Sequence, residues 1–206
     1  MPLLPSSDTR ARAVFAAGVR LLPAGLLALA AATAARAESV IYVLDPEHSF
    51  VHFEVLHFGT STLRGRFGQI DGYVELDRAA PSGWVSLRIP TAAVDTGMPA
   101  FDARLRQDDL LDSEAHPLAS FVASRFSFDG PKPSALRGEL TLRGVRQTLE
   151  LRALRFGCHT HPQLQREVCG GDFEGELDRA AFGASFGMPF VANRVRLRVQ
   201  VEGIRR

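Results

Sequence analysis

Beyond residue 48 the chain alternates apolar and polar residues with a period of two. In "SFVHFEVLH" (49–57) Ser49, Val51, Phe53, Val55 and His57 share one parity. "WVSLRI" (84–89) sets Val85, Leu87 and Ile89 against Ser86 and Arg88. "GELTL" (138–142) and "TLELRA" (148–153) repeat the pattern, and "RVRLRVQVE" (194–202) sets Val195, Leu197, Val199 and Val201 against Arg196, Arg198 and Gln200. Successive side chains on a strand leave opposite faces, so each segment predicts a strand with one buried and one wet face. That favours antiparallel pairing. Turn-rich stretches separate the segments: "APSG" (80–83), "DGPKPS" (129–134), "RGVRQ" (143–147) and "DRAAFG" (178–183). About eight short strands spaced in this way predict an all-β sandwich or barrel.

Two regions break the alternation. "PAFDARLRQDDLLDSEAHP" (99–117) places Phe101 and Leu105 one helical turn apart and ends on Pro117, which predicts a short helix on the 98–117 connection. Its acidic run, Asp108, Asp109, Asp112 and Glu114, reads as a solvated face, because it lacks the central Gly and closing Glu of a calcium loop. At the front, Arg10, Arg12 and Arg20 precede "LLPAGLLALAAA" (21–32), and "ARA" (35–37) follows. A basic stretch, a short apolar stretch and a small-x-small site predict a secretory signal over 1–37, cleaved after Ala37, and a periplasmic or secreted domain over 38–206.

Charge narrows the class of partner. The chain has 24 basic and 23 acidic residues; residues 1–37 hold four Arg and one Asp, so the remainder carries a formal net charge of −2. No basic stripe marks a nucleic-acid surface.

Chemistry-bearing residues are few. His48, His52 and His57 crowd one strand, but His48 and His52 lie roughly 13 Å apart along it and His57 has the opposite parity. No metal site is expected there, because zinc bonds near ~2.1 Å cannot gather the three. His57 ends the buried face, where it reads either as a satisfied rim histidine or as a contact for a ligand head group. Cys158 and Cys169 form an even pair, which in an oxidising compartment reads as a disulfide stapling a loop. The rival is a metal site built from Cys158, His159, His161 and Cys169. No nucleophile elbow, phosphate loop or metalloprotease helix is present, and no catalytic residue is assigned.

"LDPEHSFVHFEVLHFG…LRGRFGQIDGYVELD" (44–77), "VDTGMPAFDARLRQDDLLDSEAHPLASFVAS" (94–124), "LRGELTLRGVRQTLEL" (136–151) and "LDRAAFG" (177–183) resemble the YceI-like family in order and spacing. That resemblance covers roughly 41–203. It implies a bacterial exported protein with a lipocalin-like antiparallel barrel that binds polyisoprenoids or other long-chain amphiphiles. Residues carried over by the resemblance include His48, Ser49, Phe53, His57, Gly65 and Phe67, then Asp95, Thr96 and Leu105, and Asp178, Arg179, Phe182 and Gly183. Leu111 departs from the pattern, since the family often has an aromatic residue there.

The expected ligand wall is Val51, Phe53, Val55, Phe67, Ile70 and Val74, with His57 near one end. Phe67 and Ile70 differ in parity, which asks for a bulge near Gly68. Gly72, Gly138 and Gly175 fall at inward positions, where they either leave room for a tail or mark bends. No cofactor is required beyond a bound isoprenoid lipid or quinone. A transient contact with a membrane or a membrane redox protein, and a homodimer, stay open as partners. Two other functions stay open: a lipid-processing enzyme using His57 with a rim carboxylate, and an interaction protein whose barrel is filled by its own side chains.

Overall fold

β11 (Val191–Arg205) is the spine of the architecture, and its strict alternation buries Leu197 and Val199 while its arginines face outward. Ten further strands precede it: β1 (Val40–Leu44), β2 (Phe50–His57), β3 (Ser61–Phe67), β4 (Asp71–Asp77), β5 (Ser82–Pro90), β6 (Val94–Asp95), β7 (Leu118–Asp129), β8 (Lys132–Leu142), β9 (Val145–Thr160) and β10 (Glu167–Asp178). This computed structural model describes residues 39–206. The expected export signal and its Ala37 boundary lie outside the described residues.

Every pairing is antiparallel, and the order β1-β4-β5-β7-β8-β9-β10-β11 closes through β1–β11 into an eight-stranded barrel. The remaining strands form a ribbon, β2-β3-β6, that leaves the barrel at β11. β11 serves both. Its last residues, Gly203–Arg205, pair with β1, while Val191 and Val195–Gln200 pair with β2. β1 and β2 thus follow one another along the same edge, parted by a corner at Asp45–Ser49. Ser49 fills that corner. It is fully buried, its hydroxyl donates to the Glu202 carbonyl and it accepts from the Glu202 amide, replacing ladder bonds the turn removes.

The barrel therefore has two levels. β1 and β4 complete the lower one, and the β2-β3-β6 ribbon walls the upper one. The chain drops from ribbon to barrel through Gly68–Ile70, where Gln69 takes a left-handed φ of 54°. That connection resets the inward parity between Phe67 and Ile70, so no bulge at Gly68 is needed, contrary to the sequence expectation. On β1 the wet face is not polar: Ile41 and Val43 are exposed, and Tyr73 on β4 is exposed beside Val43.

Helix α1 (Pro99–Leu105) sits on the predicted connection, with Pro99 at its first turn. Buried Asp102 ties it down by accepting from the Thr96 amide at 2.8 Å and the Thr96 hydroxyl at 2.6 Å. Arg104 grips Asp109 through two bonds of 2.7 Å, so that part of the acidic run is ion-paired, and Asp112 lies 3.6 Å from His116.

The candidate ligand-binding cavity

The two levels enclose two separate apolar cavities. The lower, about 80 Å³, is walled by residues such as Tyr42, Leu44, Val74, Leu87, Phe121 and Phe173. The upper, about 300 Å³, is walled by β2 and β3, α1, Leu110 and Leu111, and the upper halves of the long strands. They share no lining residue. Along β5 the wall passes from Leu87 below to Ile89 above, along β7 from Phe121 to Ala119, and along β11 from Val199 to Leu197.

The level of this division coincides with the inward glycines. On β8 Gly138 lies between Leu136 below and Leu140 above, and on β10 Gly175 lies between Phe173 and Leu177. A Cβ on Gly138 would stand 2.3 Å from the Val122 carbonyl oxygen, and one on Gly175 would stand 2.7 Å from that of Glu150. At Gly72, where φ is +146°, it would meet the Ser86 carbonyl oxygen at 2.1 Å. These glycines let neighbouring strands close in, so they mark bends and do not provide room for a tail.

Val51, Phe53, Val55, His57 and Phe67 all line the upper cavity together. Ile70 and Val74 do not. Val74 lines the lower cavity, and Ile70, fully buried, belongs to the packed cluster containing Leu44, Leu87 and Ile89. The single tunnel expected from the sequence is thus divided, because the drop through Gly68–Ile70 places these two residues below the ribbon.

His57 ends β2 opposite Val191, and its ring meets Phe58 edge-on at 4.6 Å. Phe58 holds a left-handed φ of 49°, strained for a bulky residue, with its exposed ring stacked on Phe190 at 5.2 Å. His48 lies apart at the corner, its Nδ1 2.8 Å from the Asp45 carboxylate. That hydrogen bond raises its pKa above the ordinary histidine value.

Most of the upper wall lies outside the expected set, including three of its four polar side chains. Thr91, Arg104, Arg179 and Phe186 line it, yet all four sit on connections where alternation gives no orientation. Arg179 had one signal, its place in "LDRAAFG". Its guanidinium is buried and donates to the carbonyls of Ala184, Phe186, Val191 and Ala192, drawing the 183–192 connection over the barrel end.

At the other end Cys158 and Cys169 form the disulfide. They are direct cross-strand partners of β9 and β10, so the bond ties two paired strands rather than stapling a loop. Glu167 is the residue grouped with the two sulfurs at metal-ligand range among the described residues; His159 and His161 do not join it. Beside the bond, Tyr42 donates to Glu167 at 2.8 Å and Arg78 donates to the same carboxylate at 2.7 Å. Burial works to raise the Glu167 pKa, but these two donors outweigh it and hold the group below the ordinary carboxylate range.

A closed antiparallel barrel with an apolar cavity under a loop-built mouth belongs to the class of β-barrels able to enclose a small hydrophobic molecule. Residues 42–203 match the YceI-like domain, and the chain belongs to that family. It is 33% identical to a UPF0312 protein of Pseudomonas aeruginosa over 90% of this chain and 98% of that one. It is 31% identical to Protein YceI of Escherichia coli O157:H7 over 84% and 91%. Among solved structures, BcnA of Burkholderia cenocepacia superposes with a TM-score of 0.63 at 21% identity, covering 77% of this chain and 98% of BcnA. A polyisoprenoid binding domain from Saccharophagus degradans, implicated in plant cell wall breakdown, superposes with a TM-score of 0.56 at 16% identity, over 80% and 98%.

Proposed function

We propose that this protein is an exported binding protein that holds a long-chain amphiphile, a polyisoprenoid or an isoprenoid quinone, with its tail in the upper cavity. The observation that carries the reading is the wall of that cavity. His57, Thr91, Arg104 and Arg179 are its polar side chains, and the rest is hydrocarbon. Left unfilled, this wall would leave hydrocarbon exposed to water, which is unfavourable. Burying an apolar tail there would contribute about 25 cal/mol per Å² removed from water. The solved polyisoprenoid binding domain with the same fold supports the choice of ligand, and the export pattern of residues 1–37 supports a periplasmic location.

Binding is preferred to catalysis because, among the described residues, no Asp or Glu lines the cavity with His57. Binding is preferred to a self-filled barrel because only the lower level is close to filled. The bound lipid is the sole small molecule this function needs. The test is native mass spectrometry of protein purified from its own envelope, followed by lipid extraction. An adduct that yields a prenyl lipid on extraction is the expected result. Protein without any lipid adduct, prepared without detergent, would refute the reading.

A further inference from the structure

None of the polar side chains that line the upper cavity among the described residues is an acid, and their commitments differ. The Thr91 hydroxyl donates to the His116 carbonyl at 2.8 Å. Arg104 is neutralised by Asp109. Arg179 has no such partner among the described residues. It is 7% exposed, and four of its five N–H groups are taken by backbone carbonyls at 2.6–2.9 Å. Carbonyl dipoles solvate a cation but do not cancel its charge, and a buried unpaired charge is costly. Burial accordingly pulls the Arg179 pKa below the ordinary arginine value, with no acid acting to restore it.

The surroundings of Arg179 are those of the cavity mouth. Its Nη2 donates to the carbonyl of Val191, the residue across the ladder from His57. Its Nη1 donates to the carbonyl of Phe186, whose ring lies 4.0 Å from the Arg104 guanidinium. Arg179 and His57 are thus brought to one end of a cavity whose lining, among the described residues, includes no acid.

We propose that this end of the cavity recognises an oxyanion head group, a carboxylate or a phosphate, on an apolar tail, with Arg179 as its counter-ion and His57 as a second polar contact. The inference rests on the tail-binding reading above and adds the head group to it. A neutral alcohol or quinone would leave the buried cation unbalanced, whereas an oxyanion supplies the missing charge and accepts the unspent Nη2 hydrogen. Charge-assisted bonds of this kind are about twice as strong as neutral ones.

The test compares farnesol, farnesoic acid and farnesyl phosphate, which share one tail, by displacement of a neutral fluorescent apolar probe from the purified protein. At least one anion should bind about tenfold or more tighter than farnesol. Which anion is preferred, or that both are, identifies the head group. Arg179→Met should abolish the preference. Because that variant also loses the anchor of the 183–192 connection, His57→Leu serves as the second variant, and it should reduce the ratio of anion to farnesol affinity. Equal binding of all three ligands by the unmodified protein overturns the head-group proposal and leaves tail binding standing. A preference that persists in both variants overturns its assignment to Arg179 and His57. Binding of none of the three sinks the tail reading itself.

Discussion

The lower and upper levels of the barrel are built by the same long strands yet are held in different ways. Below, β1 and β4 close the ring, the Cys158–Cys169 bond ties β9 to β10, and Tyr42, Glu167 and Arg78 form a polar latch beside it. The interior there shrinks to about 80 Å³. Above, a three-stranded ribbon and two loop connections stand in for two barrel strands, and the interior widens to about 300 Å³. One level is a conventional core; the other gives up packing for volume. The difference shows that capacity in this fold comes from replacing wall strands with a ribbon, and not from small inward residues.

The contrast breaks most visibly if the upper volume is filled. Val55→Trp should abolish lipid loading, measured as lipid recovered per mole of folded protein, while far-ultraviolet circular dichroism stays that of the parent. Loading equal to the parent would place the ligand elsewhere. The packed layer under the ribbon is probed by Ile70→Ala. Losing a fully buried Ile side chain should lower unfolding free energy by about 2–5 kcal/mol in chemical denaturation. A loss below about 1 kcal/mol would show that the layer between the levels is not packed as described.

At the lower end, replacing both Cys158 and Cys169 with Ala should cost about 3 kcal/mol, the chain-entropy value for a ring of this size, and leave lipid recovery unchanged. Falling recovery would mean that the latch shapes the upper cavity too. The smallest effect is expected on the outer wall. Arg196 lies 3.8 Å from exposed Glu176, so Arg196→Gln should shift stability by under about 0.5 kcal/mol and not touch loading. A larger shift would show that the outer ion pairs act as a network.

His48 adds a pH test at the corner between the levels. Its pKa is raised in the fold, so its contribution is fully present below the ordinary histidine range and is lost as pH rises through the folded value. The difference in melting temperature between the protein and His48→Gln should therefore shrink with increasing pH. A difference that is flat from pH 5 to 9 would mean that the Asp45 bond is not made in solution.

What the sequence shows of this architecture follows the reach of local alternation. Strand parity orients Val51, Phe53, Val55 and His57, because these residues lie on one uninterrupted strand. It fails at Ile70 and Val74, where a single left-handed residue, Gln69, changes level between strands and no local pattern records height in a barrel. The cysteine pair is legible as a disulfide from its even count together with the expected export. That it spans paired strands depends on the register of β9 and β10, a property of two segments together. Arg179 is the instructive case. The family resemblance singles it out without giving it a place, and only the convergence of four carbonyls from the 183–192 connection shows it to be interior.

The short reach of β6 has a consequence for how the upper wall is closed. β3 pairs with β2 along its whole length, but its other edge meets β6 only at Arg66 and Phe67. Ser61–Gly65 thus forms a free margin along the upper wall, and its outward-facing amides should exchange with deuterium well before those of β8 or β10, which are paired on both sides. The upper wall is thus closed on that side by a two-residue ladder, whereas every strand of the ring below is paired along both edges.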